Sequence, residues 1–164
     1  MFFACDKTDS FETDGMAPIY ISSTDFSMIK SEDARPFVTL GNIIIRGNYL
    51  YINEKGKGIH VIDNTDPKNP VFIAFWNIPG NTEFNIKGNL LYADNSIHLL
   101  TIDISDIHHI VVKSYTENVF IDLEPINPRP PSDYNGYFYC VDKNKGVHIG
   151  WENAHLKDPR CETF

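Results

Sequence analysis

The side chains best suited to chemistry in this sequence are histidines and aspartates that return at fixed offsets. His60 lies in Ile59-His60-Val61-Ile62-Asp63, and His148 closes the similar stretch Gly146-Val147-His148. A histidine can ligate a metal, carry a proton or act as a hydrogen-bonding core residue. Within an alternating apolar run one strand face is buried, so the expected role of both is structural. His108 and His109 are adjacent, and neighbouring residues of a turning chain point apart. With no further ligand at zinc spacing, they do not close a metal site. Asp63-Asn64-Thr65-Asp66 opens like a calcium loop but lacks its glycine and terminal bidentate acid. Asp103 and Asp106 recur at the matching positions, which points to turn capping, with each carboxylate bonding the backbone two residues on.

A carboxylate pair such as Asp122 and Glu124 has the types needed for general acid and base work. It precedes the loop Asn127-Pro128-Arg129-Pro130-Pro131-Ser132-Asp133, whose default reading is a solvated linker. Tyr134 and Trp151 nearby suit either a binding surface or a core. The sequence has no Gly-x-Ser-x-Gly elbow, P-loop, dinucleotide fingerprint or HExxH helix. No catalytic, cofactor-binding or metal-ligating residue is assigned, and no cofactor is expected.

The elements that would position these residues are legible as a repeat. Gly47-Asn48-Tyr49-Leu50-Tyr51-Ile52-Asn53 returns as Gly88-Asn89-Leu90-Leu91-Tyr92-Ala93-Asp94. Each is followed by an apolar run ending in Ile-Asp, at Ile62-Asp63 and Ile102-Asp103. A third copy begins at Tyr137-Phe138-Tyr139-Cys140, where Asp142-Lys143-Asn144-Lys145-Gly146-Val147-His148 echoes Glu54-Lys55-Gly56-Lys57-Gly58-Ile59-His60. Each full unit divides into four short runs. They are 42–46, 49–53, 59–63 and 71–78 in the first unit, and 84–87, 90–94, 97–104 and 110–116 in the second. Gly-Asn and Lys-Gly-Lys-Gly are hairpin chemistry, and Asp66-Pro67 and Asn69-Pro70 are turn formers. Four strands in roughly forty residues is the size of a propeller blade.

Composition agrees. At 164 residues the chain is long enough for a sizeable core, and 42% hydrophobic against 22% charged residues excludes wholesale disorder. The aromatic share of 13%, mostly Phe and Tyr, favours strands. The net charge is −8, and residues 1–33 carry seven acids against two lysines. An acidic chain without a basic stripe repels phosphate backbones, so nucleic acid is not an expected partner. No apolar run approaches the roughly 20 residues that span a bilayer.

Gly-Asn-Tyr-Leu-Tyr-Ile, Gly-Ile-His-Val-Ile-Asp and Asp66-Pro67-Lys68-Asn69-Pro70-Val71 together resemble the LVIVD repeat of bacterial secreted and surface proteins. The resemblance covers about residues 40–120, with a partial copy from Tyr137; the second unit departs from it with Ile107 and Ile110 in place of prolines. It implies a β-propeller and no particular reaction. The start, Met1-Phe2-Phe3-Ala4-Cys5, resembles the end of a bacterial lipoprotein signal peptide, with Cys5 as the lipid-attachment residue and an acidic tether after it, as in lipoproteins of the Bacteroidetes type. The other cysteines, Cys140 and Cys161, have no CxxC pairing. Cys140 reads as a small buried hydrophobe, and a Cys140–Cys161 bridge stays open as an alternative.

The expectation is an all-β fold of propeller-type, four-stranded antiparallel blades, two blades plus a partial third. Residues 1–34 form an acidic leader with at most a short strand at Ile19–Ser22. Blades follow at about 41–80 and 81–120, then a partial copy at 121–151 and a polar tail at 152–164. Fewer than three blades do not close a ring. The chain is therefore expected to be a fragment of a longer product, ahead of an open array or self-association. Function is expected to be non-catalytic binding or scaffolding of a protein or glycan partner in the cell envelope, at the outer membrane, with membrane contact only through the lipid. The alternatives are a fragment of a propeller hydrolase or lyase whose site needs further blades, and a cytoplasmic protein if Met1 is the true start.

Overall fold

The computed structural model describes residues 10–120, 128–131 and 133–163. The fold is all-β, of the propeller-type repeat kind. Its first repeat supplies β3 (Leu40–Arg46), β4 (Tyr49–Glu54), β5 (Gly58–Asp63) and β6 (Val71–Asn77). The second supplies β7 (Phe84–Lys87), β8 (Leu90–Asn95), β9 (His98–Asp103) and β10 (Val111–Thr116). Both run as antiparallel meanders with each strand beside its sequence neighbour. The β3–β4 and β7–β8 turns are Gly-Asn, with Gly47 and Gly88 at φ of 57° and 61°, a region in which a Cβ is strained.

Register fixes two faces on each sheet, since directly paired residues share a side. In the first sheet Ile44, Tyr51, Val61 and Ala74 form one cross-strand row. In the second, Phe84, Ala93, Leu100 and Tyr115 form a row, and Ile86, Leu91, Ile102 and Val112 form the next. These rows meet in the main core, in which Val61, Ala74 and Trp76 pack with Leu91, Leu100 and Ile102, all fully buried. Burying such an aliphatic or aromatic side chain contributes roughly 1.5–3 kcal/mol. Ile107 and Ile110, the departures from the proline pattern, pack against this core. The Ile107 carbonyl also accepts from Trp76 Nε1 and Ser31 Oγ, both at 2.9 Å.

The ends of the chain depart from the sequence expectation. Residues 12–21 do not hang as an acidic leader; they form the ten-residue β1 (Glu12–Ile21). A one-turn helix α1 (Ser23–Phe26) follows, then β2 (Lys30–Glu32), which adds a fifth strand beside β6. The expected polar tail is likewise strand. β12 (Val147–Lys157) runs antiparallel along the whole of β1, and β13 (Cys161–Thr163) pairs with β11 (Gly136–Phe138). The third repeat copy thus sits in a sheet of order β12-β1-β11-β13, completed by the N-terminal strand. The physical reason is that β1 takes its partner from more than a hundred residues away. Its acids Glu12 and Asp14 lie on the solvent side, where they meet His155 at 3.4 and 3.0 Å. Cys140 is a second correction. It is exposed just beyond β11 and bonded to Cys161 with a Cα–Cα distance of 5.4 Å, so it is not a buried hydrophobe.

Candidate functional site at the seam between sheets

Three connections converge where the first two sheets meet. The β4–β5 turn presents Gly56, whose N–H donates to Asn81 O at 2.7 Å. Gly80 N–H donates to Gly56 O at 2.8 Å, and Ser96 N–H, from the β8–β9 turn, donates to Gly80 O at 3.1 Å. A Cβ on Gly80 would stand 3.0 Å from Ser96 N, and its φ of 74° excludes most side chains, so glycine is required there.

A chain of buried amides ties these turns together. Asn53 Nδ2 donates to Asn81 Oδ1 at 2.6 Å, and Asn81 Nδ2 donates to Asp94 Oδ1 at 2.7 Å and to Glu83 O at 2.9 Å. Asp94 also accepts from the backbone N–H groups of Thr82 and Glu83 at 2.8 and 2.9 Å, and from Thr82 Oγ1 at 2.5 Å. Burial pushes the Asp94 carboxyl above its ordinary range, and these donors pull against the rise. Asn53 and Asp94 occupy the same repeat position, and each secures the connector 78–83 from its own sheet.

Facing this seam is the third sheet. Met16 and Ile19 of β1, with Ile149 and Trp151 of β12, form one wall of a cleft of about 400 Å³, whose opposite wall holds Lys55, Lys57, Thr82 and Glu83. A smaller cavity of about 210 Å³ continues past Trp151 to Asp94, Ser96, Arg129 and His148. The cleft combines an aromatic and aliphatic floor with cationic tips. Its carboxylate and hydroxyl neighbours, Asp94 and Thr82, are engaged with each other. Glu83, the carboxylate in the cleft wall, accepts from Asn42 Nδ2. That arrangement suits holding a ligand.

The residues singled out from sequence fall in different places. His60 is fully buried and bonds Glu54 Oε2 at 2.8 Å, with Phe37 and Phe75 rings each 4.8 Å away. Glu54 is held below the ordinary carboxylate range: burial works to raise it, but hydrogen bonds from Lys57 and His60 and the charges of Lys57 and Arg35 outweigh that. His148 packs against Tyr20 and Trp151. His108 and His109 sit in the β9–β10 turn, where His109 Nδ1 meets Asp106 Oδ2 at 3.1 Å. Asp63, Asp66, Asp103 and Asp106 each accept a backbone N–H two residues on, from Thr65, Lys68, Ser105 and His108, at 2.8–3.0 Å. Turn capping is their observed role.

Tyr134 donates to Tyr137 O at 2.7 Å and lines a groove on the third sheet, away from the cleft. Cys5, Asp122 and Glu124 lie outside the described residues. Among the described residues no three His, Cys, Asp or Glu side chains gather as a metal site, and no helix is long and apolar enough to cross a membrane. Sequence reasoning missed the Asn53–Asn81–Asp94 chain. Its signal was there, in a polar residue closing each Gly-Asn-x-Leu-Tyr strand.

Residues 40–77 match the LVIVD repeat. The match runs from the first residue of β3 to the last of β6, so one LVIVD repeat is one four-stranded sheet. No curated protein and no solved structure matches the chain. The LVIVD identity of the first sheet accounts for the meander and the paired turn aspartates, and it names no ligand.

Proposed function

We propose that the chain is a non-catalytic binding or scaffold module that holds a protein or glycan partner in the cleft floored by Trp151. The observation that carries this reading is the pairing of Trp151 and Ile149 with Lys55 and Lys57 across one cleft between sheets. Aromatic anchors next to adaptable cations are the composition of binding surfaces. Trp76, the other tryptophan, is fully buried, so a change in emission on titration reports Trp151. Titration with a panel of soluble glycans and extended peptides should shift that emission for at least one class. Trp151→Ala and Lys55→Ala should weaken binding at least about tenfold with unchanged far-UV dichroism. Turnover of a bound compound, or a silent panel, would sink the reading.

The same proposal places the protein in the cell envelope, at the outer membrane, anchored through a lipid on Cys5. Its support is the cysteine arithmetic: with Cys140 and Cys161 bonded to each other, Cys5 is the remaining thiol, and disulfides belong to oxidising compartments. Metabolic labelling with a fatty acid should mark the wild-type chain in a bacterial host and leave Cys5→Ser unlabelled and released from the membrane fraction. Equal fractionation of the two chains would remove the anchor.

A further inference from the structure

The chain has four arginines, and two of them are engaged inside the fold. Arg35 faces Glu54 Oε2 at 3.5 Å and lies over the Phe75 ring, and Arg46 donates to the Gly88 carbonyl. Arg129 and Arg160 make no hydrogen bond or ion pair among the described residues, yet both line one cavity of about 440 Å³ at the third sheet. Each is carried on backbone with little freedom. Arg129 stands in Pro128-Arg129-Pro130-Pro131, where the proline rings fix φ on either side and keep Arg129 itself extended. Pro130 is buried, and the Pro131 carbonyl accepts from Tyr134 N–H at 2.8 Å. Arg160 lies between Pro159 and Cys161. Its turn is pinned on one side by Asp158, which exchanges hydrogen bonds with Phe11 at 2.7 and 2.8 Å, and on the other by the Cys140–Cys161 bond. Side chains on pinned backbone lose less freedom when they grip a ligand.

We infer that this cavity binds a small organic acid, with its carboxylate on Arg129 and Arg160 and its apolar body against Phe138 and Val141. Phe138, Val141 and the disulfide wall the cavity, and Phe138 pairs directly with Cys161, so the two share one face of the sheet. Glu162, the carboxylate among the lining residues, pairs with Tyr137 and so belongs to the other face. Guanidinium groups suit carboxylates in shape and in charge. A cleft lined by cations also focuses potential on an incoming anion, even in a chain of net charge −8. Two guanidiniums against Glu162 leave one positive charge, which a single carboxylate balances. An inorganic phosphate would turn part of its surface to an apolar wall that offers it no donor. The cavity shares Pro128 and Arg129 with the smaller cavity beyond Trp151, and no residue with the cleft itself. The inference therefore stands independently of the proposed binding role.

The test is titration of benzoate into the disulfide-intact full chain, followed by calorimetry and by saturation-transfer NMR of the ligand. Benzoate should bind saturably. Benzyl alcohol, of similar shape without the charge, should bind at least about tenfold more weakly. Arg129→Gln and Arg160→Gln should each weaken benzoate about tenfold, and the double variant should abolish its binding. Both side chains are exposed, so far-UV dichroism should not change. Glu162→Gln removes the opposing carboxylate and should tighten benzoate. Lys55→Ala, in the Trp151 cleft, should leave it unaffected, which separates a failure here from a failure of the cleft. Absence of saturable benzoate binding, equal affinity for benzyl alcohol or for inorganic phosphate, or a double variant that binds like the wild type would each overturn the inference.

Discussion

Asn53 donates to Asn81 at 2.6 Å inside the protein, and through that one amide the end of β4 is tied to Asp94 near the end of β8. Asn53 and Asn81 are both fully buried. An amide in Asn81's place is the one side chain of that size that can accept from Asn53 and donate to Asp94 at once. Asn81→Ala leaves a buried donor and a buried carboxylate short of a partner, at about 1–3 kcal/mol each. Urea unfolding should therefore show a loss of roughly 3 kcal/mol. Asn81→Asp sets two carboxylates against each other, so its deficit should grow as pH rises through the carboxylate range. A loss under about 0.5 kcal/mol for the alanine variant would mean that the backbone bonds alone hold the seam.

The four turn aspartates contribute to the acid limb of the stability curve, and the buried Asp94, held above its ordinary range by desolvation, works against them. All four carboxyls are held below their ordinary range. Asp103 goes down to about 2, chiefly through the Ser105 hydroxyl, then the Ser105 N–H and the Lys113 side chain. A folded-state pKa below the unfolded one contributes stability that is complete above the unfolded value, near pH 4, and is lost as pH falls through the folded value. Glu54 acts in the same direction. The thermal midpoint should fall steeply between about pH 4 and 2, and Asp103→Asn should flatten that limb while lowering the midpoint at neutral pH. An Asp103→Asn profile parallel to wild type would show that the cap is not coupled to folding.

The sequence carried the two meanders strand by strand, because period-two patterns, Gly-Asn turns and Asp-capped turns are local signals. Tyr49–Asp63 and Leu90–Asp103 are read correctly from neighbours alone. It did not carry β1. Glu12, Thr13 and Asp14 look like a tether until β12 is placed alongside, and that pairing is a tertiary event that local composition does not encode. The same holds for Cys140, whose bond to Cys161 stands as one alternative in the sequence and is decided by the return of β13 to β11. At the candidate site, Asn53 and Asp94 were visible as repeat positions, but the cleft was not, since its walls come from β1, β12 and the β4–β5 turn. Ile107 shows the converse: a departure from the repeat pattern marked a contact, since its side chain packs against the main core.

The Cys140–Cys161 bond closes 21 residues of chain and pins the exit of β11 to β13. In the loop-entropy account a closure of this length stabilises by about 3 kcal/mol. Reduction, or the double variant Cys140→Ser with Cys161→Ser, should lower the denaturant midpoint accordingly. Alkylation of the native unmodified chain should label Cys5 alone, and all three cysteines after reduction and unfolding. Labelling of Cys140 without reductant would remove the bridge from this account.

The buried pair Glu54 and His60 makes the sharpest energetic claim. Glu54 Oε1 takes Lys57 at 2.9 Å, and Oε2 takes His60 Nε2 at 2.8 Å and faces Arg35 at 3.5 Å, with Glu54 and His60 shielded from water. Glu54→Ala strands the buried His60, while the part-exposed Arg35 and Lys57 turn to water. Breaking a buried pair from one side typically costs about 3–5 kcal/mol. Glu54→Gln keeps an acceptor for one of them and should lose less. His60→Leu fills the space between Phe37 and Phe75 with an apolar group and removes a ring whose Nδ1 has no hydrogen-bond partner among the described residues, so it should be the mildest of the three. If the two residues act as a unit, the Glu54→Ala, His60→Leu double variant should be more stable than the sum of its singles by about 1–3 kcal/mol. The four chains compared by urea unfolding at neutral pH decide it. Additive losses would mean that Arg35 and Lys57, not His60, are what Glu54 holds.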